Sequence, residues 1–121
     1  MSIKVALDEV RSVASGQAPF AYLLTVSEDQ SAHAVAVAPS IGDGEITLSG
    51  GRTSCANAIA RPNVSLLWPP ADPADYSLIV DGIAAVDGDR VCITPTRAVR
   101  HRPAASGAGS DCAPVSLEER R

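Results

Sequence analysis

A chain of 121 residues has room for one domain, and 45% apolar residues are enough to fill one core, with Ala, Val, Leu and Ile rather than aromatics supplying the bulk. Lys and Arg number 10 against 14 Asp and Glu, a net charge of -4, and the arginines are scattered up to the far C-terminus; no basic stripe neutralises successive phosphates, so nucleic acid is not expected as a partner. Apolar runs are broken well short of the roughly 18 residues a membrane span needs, and the N-terminus has no signal-peptide pattern, so the expectation is no membrane partner and a cytoplasmic location.

Ile3, Leu7, Val10 and Ala14 recur at helical spacing between Ser2, a suitable N-cap, and Gly16, a suitable stop. This predicts an N-terminal amphipathic helix. After Gln17-Ala18-Pro19, the β-rich run from Phe20 to Val26 reads as a strand, closed by the turn-forming Ser27-Glu28-Asp29-Gln30. From Ala32 to Ala38 the chain alternates, with His33, Val35 and Val37 on one face of a second strand and Ala34, Ala36 and Ala38 on the other. Gly42-Asp43-Gly44 makes a tight turn into a third strand, Glu45 to Ser49.

Gly50-Gly51-Arg52-Thr53-Ser54 is a polar, glycine-containing break before Cys55 to Ala60, a short helix that Pro62 ends. A fourth strand runs from Val64 to Trp68 and is followed by a proline-rich loop, Pro69 to Asp75. The fifth, Ser77 to Val86, is interrupted by Asp81-Gly82, which suggests a bulge or a bend at a barrel corner. Asp87-Gly88-Asp89 turns into a short sixth strand, Arg90 to Thr94. Residues 104–121 begin Ala/Gly/Ser-rich and end charged, so a flexible C-terminal tail is expected after a domain spanning 1–103. Six short strands with glycine-containing turns and two helices, one N-terminal and one short and mid-chain, predict a mainly β chain folded as a small antiparallel barrel.

Cys55, Cys92 and Cys112 are odd in number and contain no Cys-x-x-Cys pair, while His33 and His101 lie far apart, so neither a disulfide framework nor a metal site is expected.

The segment Arg52 to Pro69, a polar loop and short helix followed by Pro62-Asn63-Val64-Ser65-Leu66-Leu67-Trp68-Pro69, resembles the phosphate loop, helix and following strand of the pyridoxamine 5'-phosphate oxidase-like split barrels. Ala21 to Val26 with His33 shortly after, and Ile79-Val80-Asp81-Gly82-Ile83-Ala84, are similar to further stretches of that family, and the likeness runs over about residues 5 to 103. It implies a six-stranded antiparallel Greek-key split barrel forming a homodimer. It also implies that FMN, or alternatively the deazaflavin coenzyme F-420, lies in a groove between subunits and serves oxidoreduction of a small-molecule substrate; the alternative function is non-catalytic binding or sequestering of a cofactor. FMN-binding members often carry an Arg-Lys pair in the phosphate loop, where this chain has Thr53 and Ser54, with Arg52 as the one nearby cation.

The cofactor-binding candidates are Gly51, Arg52, Thr53, Ser54, Asn57, His33, Ala36 and Trp68. A helix N-terminus offers backbone N–H groups and the positive end of the dipole to a phosphate, and Thr53, Ser54 and Arg52 add hydroxyls and a charged fork. The same residues also read as a plain turn with a helix cap. Ala34, Ala36 and Ala38 leave room for a flat ring or for close packing against a neighbour. Asn57 reaches a ribityl chain or faces solvent; Trp68 stacks on a ring or plugs a dimer interface; His33 contacts cofactor or is an ordinary half-exposed strand histidine. His101, Arg100 and Arg102 form a basic cluster that attracts an anionic tail or decorates the surface, and Cys55 is a lone thiol activated by the helix start beside it or one of structural role. No catalytic acid, base or nucleophile is assigned, because in flavin chemistry the cofactor carries the hydride and the protein orients it.

Overall fold

The computed structural model describes residues 1–104. Eight strands and two α-helices alternate along the chain: β1 (Ser2–Val5), a 3-10 turn (Leu7–Glu9) leading into α1 (Val10–Ala14), β2 (Ala21–Val26), β3 (Ala32–Val37), β4 (Ser40–Ile41), β5 (Ile46–Ser49), α2 (Arg52–Ala60), β6 (Asn63–Trp68), β7 (Ser77–Asp87) and β8 (Arg90–His101). All strand pairs are antiparallel, and one curled sheet runs in the order β3-β2-β6-β7-β8-β5-β4, with β1 added beside β8. The tail expected over 104–121 lies outside the described residues except for Ala104. Among the described residues no helix is long and apolar enough to cross a membrane.

The six expected strands are all present as β2, β3, β5, β6, β7 and β8, but the total is eight. β4 is a two-residue strand beside β5, pairing Ser40 with Thr47 and Ile41 with Ile46. β1 replaces the first turns of the expected N-terminal helix. Ser2 to Val5 pair with His101 to Ala98 along a strand edge that β5 leaves open, and Ile3 and Leu7, the start of the apparent helical stripe, are both 47% exposed. The helix that does form is short and buries Val10. Four residues were drawn from helix into sheet because an available edge satisfies their backbone groups at a site where Val5 can also be buried.

β8 also runs further than expected, passing Pro95 to reach His101. Gly82 pairs with Pro95 while Asp81 pairs with Arg97, so Thr96 is the extra residue of a bulge. The irregularity anticipated at Asp81-Gly82 is therefore present, and it is also what admits a proline into a long strand, since a bulge does not require every ladder N–H. Gly82 permits the close approach, because a Cβ there would lie 2.5 Å from Ile93 Cγ2 and 2.7 Å from the Thr94 carbonyl oxygen.

The core fills the concave side of the sheet. Leu23 from β2, Leu66 from β6, Leu78 and Val80 from β7, Val91 and Ile93 from β8 and Ile46 from β5 are all essentially sealed. Burying each of these aliphatic side chains is worth roughly 1.5–3 kcal/mol. α2 covers one end of this core with Cys55 and Ala58, and that packing sets where the helix N-terminus points.

Candidate functional site

β5 ends at Ser49, and the next two residues place α2. The Gly50 amide donates to the Asp89 carbonyl at 2.7 Å, and a Cβ on Gly50 would come within 2.9 Å of Cys55 Sγ and 3.0 Å of Val91 Cγ2, so a glycine lets the helix start hard against β8. Gly51 is the N-cap, in extended conformation, and the helix begins at Arg52 rather than at Cys55. Arg52, Thr53 and Ser54 are thus the first turn of α2 and not the loop before it. The first helical bond is the Cys55 amide to the Gly51 carbonyl at 2.9 Å. No side chain caps the helix, so the first-turn amides carry no intrahelical acceptor and the reading of Thr53 or Ser54 as a cap does not hold.

In front of these amides lies an open groove of about 390 Å³, lined by His33, Val35, Ala36 and Val37 of β3, Ser49, and Gly51 to Ser54. Nothing lies within 4 Å of the position a Cβ would take on Gly51. The Arg52 side chain has no hydrogen-bond or ion-pair partner among the described residues. His33 Nδ1 is buried and likewise without a partner. Six of the eight candidates, His33, Ala36, Gly51, Arg52, Thr53 and Ser54, are therefore brought together in one groove. Ser49, Val35 and Val37 line it too and were not singled out; the alternation along β3 put both valines on the His33 side, which was the available signal.

Asn57 and Trp68 sit elsewhere. Asn57 is 5% exposed and faces β2, donating from Nδ2 to Thr25 Oγ1 at 3.1 Å and Ser27 Oγ at 3.3 Å, so it does not face solvent. The helical period turns residue 57 inward once α2 starts at 52. Trp68 is buried in the core, because Val64, Leu66 and Trp68 alternate inward along β6, and its exposed rim belongs to a separate groove beside α1.

The basic cluster also lies away from the groove. Arg100 and Arg102 sit 5.3 and 4.6 Å from the Tyr76 ring centroid, Arg102 Nη1 donates to the Ala74 carbonyl at 3.3 Å, and His101 Nδ1 is 3.1 Å from Ser2 Oγ. These contacts clasp β1 and the loop before β7.

Two groups titrate away from their ordinary ranges. The Cys92 thiol donates to Glu45 Oε1 at 3.1 Å, and that carboxylate, with burial and negative charge behind it, pushes the thiol up. Asp29 is held down by the Ser31 hydroxyl at 2.6 Å and the Ser31 amide at 3.0 Å. Among the described residues no three His, Cys, Asp or Glu side chains gather as a metal site would require.

No protein-family model matches the chain. Two mycobacterial proteins, Mb0449c of Mycobacterium bovis and MT0457 of Mycobacterium tuberculosis, are each 44% identical to it over 105 residues, covering 72% of this chain and 73% of theirs. Among solved structures, an F420 reductase is similar with a TM-score of 0.58 at 18% identity, over 72% of this chain and 94% of that one. A FAD-binding protein from Mycobacterium smegmatis reaches 0.58 at 15% identity, over 84% and 100%. A Listeria innocua protein assigned as a pyridoxamine 5'-phosphate oxidase reaches 0.57 at 14% identity, over 74% and 91%. The chain belongs to one family with Mb0449c and MT0457, and its fold is the split barrel of the pyridoxamine 5'-phosphate oxidase-like proteins.

Proposed function

We propose that this protein binds a flavin-type cofactor, FMN or the deazaflavin coenzyme F-420, in the groove before α2 and uses it for oxidoreduction of a small molecule. The observation that carries the reading is the convergence of uncapped α2 amides and the unpartnered Arg52 on one groove. Such donors suit a phosphate: amides and the helix dipole attract the anion, and a guanidinium adds a charge-assisted fork. Bound there, the cofactor would supply the hydride chemistry, while this chain holds its anionic end and positions the ring against β3.

A homodimer fits the same picture. Tyr22, Val26 and Ile83 are exposed on the outer face of the sheet, next to the exposed Ala34 and Ala36. A second copy laid on that face would bury the patch. Non-catalytic cofactor binding is the second reading, favoured by one feature: among the described residues no Asp, Glu, Cys or Lys lines the groove.

Titration of the purified protein with FMN and with coenzyme F-420, followed by fluorescence, tests the proposal. Saturable binding of one of them is expected, weakened about tenfold or more in Arg52→Ala, which corresponds to roughly 1.4 kcal/mol. Absence of binding by both refutes it. Binding without turnover across a panel of electron acceptors favours the sequestering reading.

A further inference from the structure

We infer that the groove continues past Ser49 to a second anion-binding subsite at Arg90, so that the ligand it takes carries a further anionic group beyond its first phosphate. This rests on reading the groove before α2 as the cofactor site.

A second groove, of about 310 Å³, is lined by Ala38, Ser40, Thr47, Leu48, Ser49 and Arg90. Ser49 lines both grooves, and the consecutive residues Val37 and Ala38 line one each, so the two adjoin along the ends of β3 and β5. Thr47 and Ser49 are two apart on β5 and present their hydroxyls on the same side, with Ser40 beside Thr47. Such a hydroxyl-lined floor suits a polar tail better than a ring.

The cations single out the same path. Among the described residues Arg11 donates to the Ile41 carbonyl, Arg61 to the Val26 carbonyl, Arg97 pairs with Asp81, and Arg100 and Arg102 lie over Tyr76. Arg52 and Arg90 are the two arginines left with none of these engagements, and each opens onto one of the adjoining grooves. No carboxylate lines either groove, although the chain as a whole is acidic. The nearest acidic residues in sequence and pairing are Glu45, bound to the Cys92 thiol, Asp87, opposite Arg90, and Asp89; none makes an ion pair with Arg90 within 4 Å.

The two arginines lie within reach of one ligand. Ser49 pairs directly with Arg90 and precedes Arg52 by three residues, which puts the two arginine Cα atoms no more than about 17 Å apart. The shared chemistry is an anion beyond the first phosphate, met by the second phosphate of a flavin dinucleotide or by the carboxylate-bearing tail of a deazaflavin.

Fluorescence titrations of the wild type, Arg52→Ala, Arg90→Ala and Arg90→Lys with FMN, FAD and coenzyme F-420 test this. Arg52→Ala is expected to weaken every ligand the wild type binds. Arg90→Ala is expected to weaken FAD or coenzyme F-420 about tenfold, with FMN changed less than about twofold, an unaltered melting temperature, and partial recovery in Arg90→Lys. The ligand that loses affinity identifies the source of the second anion. Equal loss for FMN, or no loss for either longer ligand, overturns the second subsite while leaving the cofactor site standing. Failure of the wild type to bind any of the three overturns both.

Discussion

Asn57 of α2 and Thr25 of β2 meet in a nearly sealed space, at 5% and 2% exposure, where Asn57 Nδ2 donates to Thr25 Oγ1 at 3.1 Å. This bond, with the one to Ser27, ties the helix to β2 and the turn after it, one turn beyond the groove-facing start of α2. It therefore holds the α2 amides in place without touching a ligand. Asn57→Ala should destabilise the protein by about 2–3 kcal/mol, since it also strands the buried Thr25 hydroxyl. A fall in the urea midpoint at constant slope would confirm it, and a change under about 0.5 kcal/mol would remove the anchor from the account.

Gly82 sits where β7 and β8 come closest. Gly82→Ala places a methyl against the Thr94 carbonyl, a backbone atom that cannot rotate away, as well as against Ile93. A loss of about 3 kcal/mol or more is expected. Trimming the movable neighbour with Ile93→Val should recover little of it, and full recovery in the double variant would show that the side chain, not the bulge backbone, sets the limit.

Gln30 adopts φ 71 in the turn between β2 and β3, with its amide donating to the Ser27 carbonyl at 2.8 Å. Left-handed backbone is costly for a residue with a Cβ and nearly free for glycine. Gln30→Gly should raise stability by about 0.5–1 kcal/mol, seen as a higher melting temperature; a lower one would count against strain at this turn.

The Cys92 thiol is pushed up chiefly by its hydrogen bond to Glu45. A thiol that titrates higher when folded contributes stability that is complete below the unfolded thiol's pKa and is lost as pH rises through the folded value. Iodoacetamide labelling of the Cys92 peptide, followed by mass spectrometry, should therefore show its midpoint move to lower pH in Glu45→Gln. An unmoved midpoint would mean the carboxylate does not govern the thiol.

Turn chemistry and two-residue alternation made β2, β3, β5, β6 and β7 readable, because those signals are local. The groove residues from Gly51 to Ser54 were readable for the same reason, as small polar residues before a short helix. Where α2 begins was not readable, since it depends on how near Gly50 can bring the chain to Val91 on β8, some forty residues away. The direction of Asn57 followed from that start. β1 was missed because Ile3, Leu7 and Val10 satisfy a helical spacing as well as Ile3 and Val5 satisfy a strand, and an open length of β8 decided between them.

The amino-acid sequence by itself determined the mainly β character, the order of six strands and the polar break that opens α2, all consequences of side-chain period and backbone freedom over a few residues. Tertiary structure alone decided that Ser2 to Val5 join the sheet, that β8 continues past Pro95, that Asn57 and Trp68 turn away from the groove, and that Arg52 and Arg90 face adjoining hollows. Those outcomes rest on pairings between segments up to a hundred residues apart, whose energies no local window of sequence contains.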